Sequence, residues 1–279
     1  MYKTSPSLAE KCRDLRSKGF TLGRIIEAVK LPKTTVYDHI YDISLPLEIK
    51  EKIKREAIGR LTEFNRKRKG ECMFGRVVLK PKGWTPDLIF LAAHFIFDGE
   101  VQSHSCIYHN RNMALINQVG YLMRKVFNLL PYNWLNKETG VHRISYHYVE
   151  LADYMRSKTQ ELKRYINSAS LVERKIFLKA FFDDEGCVHF NKKLVKGFQY
   201  NLGILKLIHD LLEDFNIQSK VNGKHNEIVI SKKLNLVKFR DKINFSKGIF
   251  INPNRKNSIW KKKLEKRKIL NYLIDSYEK

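Results

Sequence analysis

Asp98 and Glu185 end two segments of one pattern. Leu91-Ala92-Ala93-His94-Phe95-Ile96-Phe97-Asp98-Gly99 is matched by Leu178-Lys179-Ala180-Phe181-Phe182-Asp183-Asp184-Glu185-Gly186. Each reads as an apolar helix with a small residue in third place (Ala93, Ala180), an acid in eighth place and a glycine in ninth. The glycines read as helix stops able to adopt positive φ. A carboxylate on the last helical turn is electrostatically unfavourable, because the macrodipole already makes that end negative. Two such helices packed side by side would bring Asp98 and Glu185 together at one end. Making the unfavourable choice twice points to a bound cation.

The elements that follow each acid run in parallel. After Gly186, the stretch 187–193 reads as a strand with Val188 and Phe190 on one face and His189, Asn191 and Lys193 on the other. After Gly99, Gln102 and His104 lie opposite Val101. Hydrogen-bonding groups on one face suit base edges in a major groove. The plainer reading is a sheet with one wet face. A second strand is expected at 198–202 and a helix at 205–215. Strands at 219–221 and 227–230 are expected to join across Asn222-Gly223, a hairpin signal, before a helix at 234–243. In the first half the helix falls at 113–130, the strands at 132–135 and 141–146, and the closing helix at 148–155. The predicted fold class is therefore α+β, with two αββαββα units. The stretch 261–268 reads as a docking helix whose lysines face outward.

The first forty residues read as a small all-α helix-turn-helix. Helices are expected at 8–18, 22–29 (capped by Thr21) and 33–41, with Gly19 and Leu31-Pro32 at the turns. Lys33, Thr34, Thr35, Tyr37, Asp38 and His39 would lie on or near the exposed face of the third helix, which suits insertion into a major groove. An ordinary three-helix bundle is the plainer reading. A mixed-charge helix then leads into the basic run Arg66-Lys67-Arg68-Lys69, which suits a phosphate backbone.

The 279 residues carry 53 Lys and Arg against 29 Asp and Glu, a formal net charge of +24. Such an excess implies a polyanionic partner, with nucleic acid the default. No apolar run approaches the length that spans a bilayer, and no membrane partner or signal peptide is expected. The four cysteines, Cys12, Cys72, Cys106 and Cys187, form no C-x-x-C pair. A reducing cytoplasmic, nucleoid-associated setting fits them, and a zinc site or disulfide framework does not.

The paired segments resemble the signature of the LAGLIDADG homing endonucleases, in the single-chain form with two copies. The resemblance covers roughly 84 to 260. The second copy is the nearer match, and 230–236 resembles the family's strand-to-helix segment that carries a basic residue. In the first copy Ile96 stands in place of the family's first acid, and His94 holds a position that is commonly apolar. The resemblance implies two helices at a pseudo-dyad and two sheets forming a saddle over double-stranded DNA. It further implies Asp98 and Glu185 as ligands of a divalent metal, Mg²⁺, and Lys233 as the basic residue of the centre. His147 lies near the matching place in the first half. The implied activity is site-specific double-strand cleavage by a monomer. A non-cleaving DNA-binding regulator and an RNA maturase use the same scaffold. The corresponding division of the chain is 1–46, a helix-turn-helix; 47–83, a basic linker; 84–167, the first repeat; and 168–279, the second repeat with the C-terminal helix.

Overall fold

The structure is a computed structural model that describes residues 6–67, 78–254 and 258–277. The chain forms two compact units, Met1–Lys69 and Gly70–Lys279. In the first, helices α1 (Pro6–Ser17), α2 (Leu22–Val29) and α3 (Lys33–Ile40) close on Cys12, Ile25, Val36 and Ile40. Gly19 ends α1 at φ 90°, a conformation that favours glycine. Thr21 occupies the N-cap of α2, but its side chain makes no cap hydrogen bond, contrary to expectation. Helix α4 (Leu47–Lys67) follows with no fully buried residue among its described side chains. The side chains of the basic run 66–69 lie outside the described residues.

The second unit holds two four-stranded antiparallel sheets of matching strand order. The first is β1 (Gly99–Val101), β2 (Cys106–Asn110), β4 (Val141–Tyr146) and β3 (Tyr132–Asn136). The second is β5 (Gly186–His189), β6 (Leu194–Phe198), β8 (Glu227–Ser231) and β7 (Lys220–Asn222). Each sheet follows a long apolar helix, α5 (Pro86–Phe97) or α8 (Leu171–Glu185). The remaining helices are α6 (Met113–Phe127), α7 (Val149–Tyr165), α9 (Leu202–Glu213), α10 (Lys233–Lys242) and α11 (Lys266–Asp275). One continuous core joins both sheets through α5 and α8. No described helix is long and apolar enough to cross a membrane.

Several boundaries differ from those read in the sequence. Strand β6 lies at Leu194–Phe198, because β5 stops at His189 and reverses through a turn in which Lys193 has φ 51°. Gly197 is needed there, since an added Cβ would strike the Phe181 ring. The Asn222-Gly223 pair does not make a two-residue hairpin. A 3₁₀ turn over Gly223–His225 and a left-handed Asn226 carry the reversal. Helix α7 continues to Tyr165, ten residues past the expected end.

Candidate functional site

Helices α5 and α8 start with well-made caps. The Thr85 hydroxyl accepts from the Leu88 N–H at 3.2 Å, with Pro86 in the first turn. Ser170 and Glu173 form a capping box at the start of α8. The two helices then lie against each other through aromatic rings, with Phe97 5.4 Å from Phe177 and 5.2 Å from Phe181. At their far ends the chain doubles back into β1 and β5. Neither glycine there takes positive φ; Gly186 is extended at φ −84°. Glycine is required for another reason. A Cβ on Gly99 would strike the Phe95 backbone, and one on Gly186 would strike the Phe182 carbonyl.

This close turn brings Asp98 and Glu185 within electrostatic reach of each other. Burial, together with the charge of Asp184, pushes the Asp98 carboxyl up to about 7. Burial, then the charges of Asp98 and Asp184, pushes Glu185 to about 8. Asp184 thus makes both acids harder to ionise, and Asp98 does the same to Glu185, as expected of carboxylates sharing a partly dry site.

Asp184 is the acid that the sequence reading passed over. Its side chain is fully buried between the helices. One oxygen lies 2.7 Å from His94 Nδ1. The other accepts from the Tyr108 hydroxyl at 2.8 Å and from Asn110 Nδ2 at 3.2 Å. Asn110 Nδ2 also donates to Asp98 at 2.9 Å. His94 is itself fully buried. Burial opposes a charge on it, but Asp184 outweighs that and raises its pKa above the usual value. The unusual histidine of the first segment and the additional acid of the second are therefore partners. Asp183 serves the fold, accepting from the Ser246 N–H at 2.7 Å.

A cation enters from the C-terminal helix. Lys266, 7% exposed, donates to the Asp183 carbonyl at 2.8 Å and to the Phe182 carbonyl at 3.4 Å. It thereby caps the negative end of α8. Burial lowers its pKa, opposed by Asp183, Cys187, Asp184 and Asp98. Its charge in turn draws Asp98 and Glu185 downward. The sequence places Lys266 among outward lysines; the structure turns it inward, because the first turn of α11 meets the end of α8. The helical period could have found it, since Lys266 shares the buried stripe of Ile269, Leu270, Leu273 and Ile274, whereas Arg267 and Lys268 fall off it. Lys233 opens α10 directly after Lys232, whose φ of 70° is rare for a residue with a side chain.

The proposed base-reading residues are more scattered than the strand pattern implied. Gln102 and His104 sit in the β1–β2 turn, where Gln102 bonds Glu100 and Ser105. His189 is exposed at the end of β5. Asn191 and Lys193 lie in the following turn rather than on a strand, and Lys193 Nζ donates to the Ser276 carbonyl at 3.1 Å. On α3, Lys33, Thr34 and Tyr37 are exposed, and Thr35 and His39 are half-buried. His147 shares its Nε2 with the Ser145 hydroxyl at 3.2 Å.

Two carboxylates suit Mg²⁺ when waters and substrate phosphates complete the shell. Among the described residues no group of three or more His, Cys, Asp or Glu is placed to hold an ion alone.

No family model matches the chain, and no curated protein matches it. Solved structures give coarse likenesses of fold. Mesophilic variants of the homing endonuclease I-DmoI align at TM-score 0.46 and 15% identity, over 58% of this chain and 91% of theirs. I-DmoI in complex with DNA and Mn aligns at 0.45 and 13%, over 57% and 96%. Full-length DUF199/WhiA from Thermatoga maritima aligns at 0.47 and 12%, over 71% and 63%.

Proposed function

We propose that this protein is a metal-dependent, site-specific endonuclease of double-stranded DNA that acts as a monomer. The observation that carries this reading is the convergence of Asp98 and Glu185 at two helix ends, where burial raises both carboxyls and the charge of Asp98 raises Glu185 further. Such a pair gains most from a divalent cation. Mg²⁺ held by these two acids would supply Lewis-acid stabilisation of the charge that develops at a scissile phosphate. The protein's own groups do the rest. Asn110 holds Asp98 in orientation through its amide. Lys266 offsets part of the acids' mutual repulsion while the site awaits DNA. Lys233 stands where the family resemblance puts the basic residue of the centre. The net charge of +24 draws the duplex in, with α3 (Lys33, Thr34, Thr35, Tyr37, His39), the turn residues Gln102, His104, Asn191 and Lys193, and His189 at the end of β5 as its contacts.

The test is cleavage of a randomised duplex library with Mg²⁺, run beside the Asp98→Asn, Glu185→Gln double variant. Discrete cuts made by the unmodified protein alone are expected.

One observation favours a second reading, a DNA-binding regulator that does not cut. Lys266 and His94 already give the acids counter-charges from within the protein. Tight, salt-sensitive retention of selected duplexes without cuts would establish it.

A further inference from the structure

The outward faces of the two sheets differ in chemistry. On β3, Tyr132 and Trp134 point to the same side and are 50% and 56% exposed. The strand register sets Tyr132 opposite Ser145 and Trp134 opposite Arg143. His147 packs its ring against Tyr132 at 5.6 Å. With Asn133, these residues line a shallow cleft of about 290 Å³. Arg143 Nε is buried and has no hydrogen-bond partner. A buried donor left unpaired is costly, so an acceptor is called for. On the second sheet the corresponding edge strand, β7, sets Lys220 opposite Val229 and Asn222 opposite Glu227, with no aromatic ring.

Two exposed rings beside a guanidinium whose Nε has no partner form a stacking platform with an anion donor. Inside a duplex the faces of the bases are covered by their neighbours, and only edges are available in the grooves. Such a platform is of use to a base that has left the stack. The cleft lies at the bottom of the size range of small-molecule sites, room for one flat group. The strongly basic chain supplies attraction to the strand that carries it.

We propose that this cleft binds an unpaired nucleobase of a DNA strand, stacked on Trp134 and Tyr132, with Arg143 donating to its phosphate or base edge. The site is independent of whether Asp98 and Glu185 cut DNA.

The test uses the full chain carrying Asp98→Asn and Glu185→Gln, so that the probe survives. It is titrated with single-stranded oligothymidylate of about 12 nucleotides, within the usual span of such sites, and with a duplex of equal length. Tryptophan fluorescence should fall on binding the single strand. Trp134→Ala and Arg143→Ala should each weaken single-strand binding about tenfold, in line with base–aromatic stacking energies, and change duplex binding less than about twofold. Trp134→Phe should keep the affinity within about threefold while losing most of the quenching, which separates stacking from misfolding. Single-strand affinity of Trp134→Ala within about twofold of the parent would overturn the proposal. So would equal losses for duplex and single strand, which would make Trp134 a groove contact. Binding of oligouridylate but not of oligothymidylate would overturn the assignment to DNA.

Discussion

Asp98, Asp184 and Glu185 crowd three carboxylates onto one pair of helix ends, and His94 of α5 and Lys266 of α11 answer them. Replacing Lys266 with Met removes the donor to the Asp183 carbonyl and a positive charge beside the acids. Thermal unfolding of Lys266→Met should show a loss of about 1–3 kcal/mol, the usual range for orphaning buried polar groups. The acids also set a pH trend. Their folded pKa values, about 7 and 8, lie above the ordinary values of 3.8 and 4.5. The folded chain therefore holds protons that the unfolded chain has released, and its stability falls as pH rises from the ordinary values through the folded ones. His94, also raised, acts in the same direction. Metal-free protein should melt at a higher temperature at pH 5 than at pH 8. The Asp98→Asn, Glu185→Gln variant should show a shallower slope, and an unchanged slope would count against the shifts. Asp98 and Glu185 could be read from the sequence because they hold the same place in a repeated pattern. Asp184 could not, since its counterpart in the first segment is Phe97. Lys266 was missed although the helical period sets it on the stripe of Ile269, Leu270, Leu273 and Ile274; its partners at the end of α8 come only from tertiary packing.

The helix-to-strand turn at Gly99 and Gly186 is the element on which the site depends. Gly99→Ala or Gly186→Ala would drive a methyl into the Phe95 or Phe182 backbone. Each should cost at least about 1–3 kcal/mol by denaturant unfolding, as overpacking does. Gly120 is the matching control. It lies inside α6 with nothing within 4 Å of an added Cβ, so Gly120→Ala should stabilise by about 0.5–1 kcal/mol. The long helices were legible because their apolar period extends over several turns. The strands were less so: β6 carries Lys196 and Gly197, which break an alternating pattern, and its place is set by the Phe181 ring beneath Gly197. The glycines were found for the wrong reason. Close approach between a helix and its own outgoing strand has no sequence signature apart from the glycine itself.

At the scale of the whole molecule, charge governs association. Affinity for any duplex should fall about a thousandfold or more between 50 and 200 mM salt, the response of a protein that contacts several phosphates; a flat titration would argue against a broad basic interface. Composition alone points to this partner class, without any knowledge of the fold. The pairing of α5 with α8 also bears on assembly. His94 occupies the fourth place of its segment and Asp184 the seventh place of the other. If α8 met a copy of itself in the same geometry, Asp184 would face Phe181 twice, with its charge stranded in a dry seam. If α5 met its own copy, His94 would face Phe97 twice. The two halves are thus chemically monogamous. This imidazole and this carboxylate work as a one-way latch, and the halves separated on two polypeptides should recognise each other and refuse themselves.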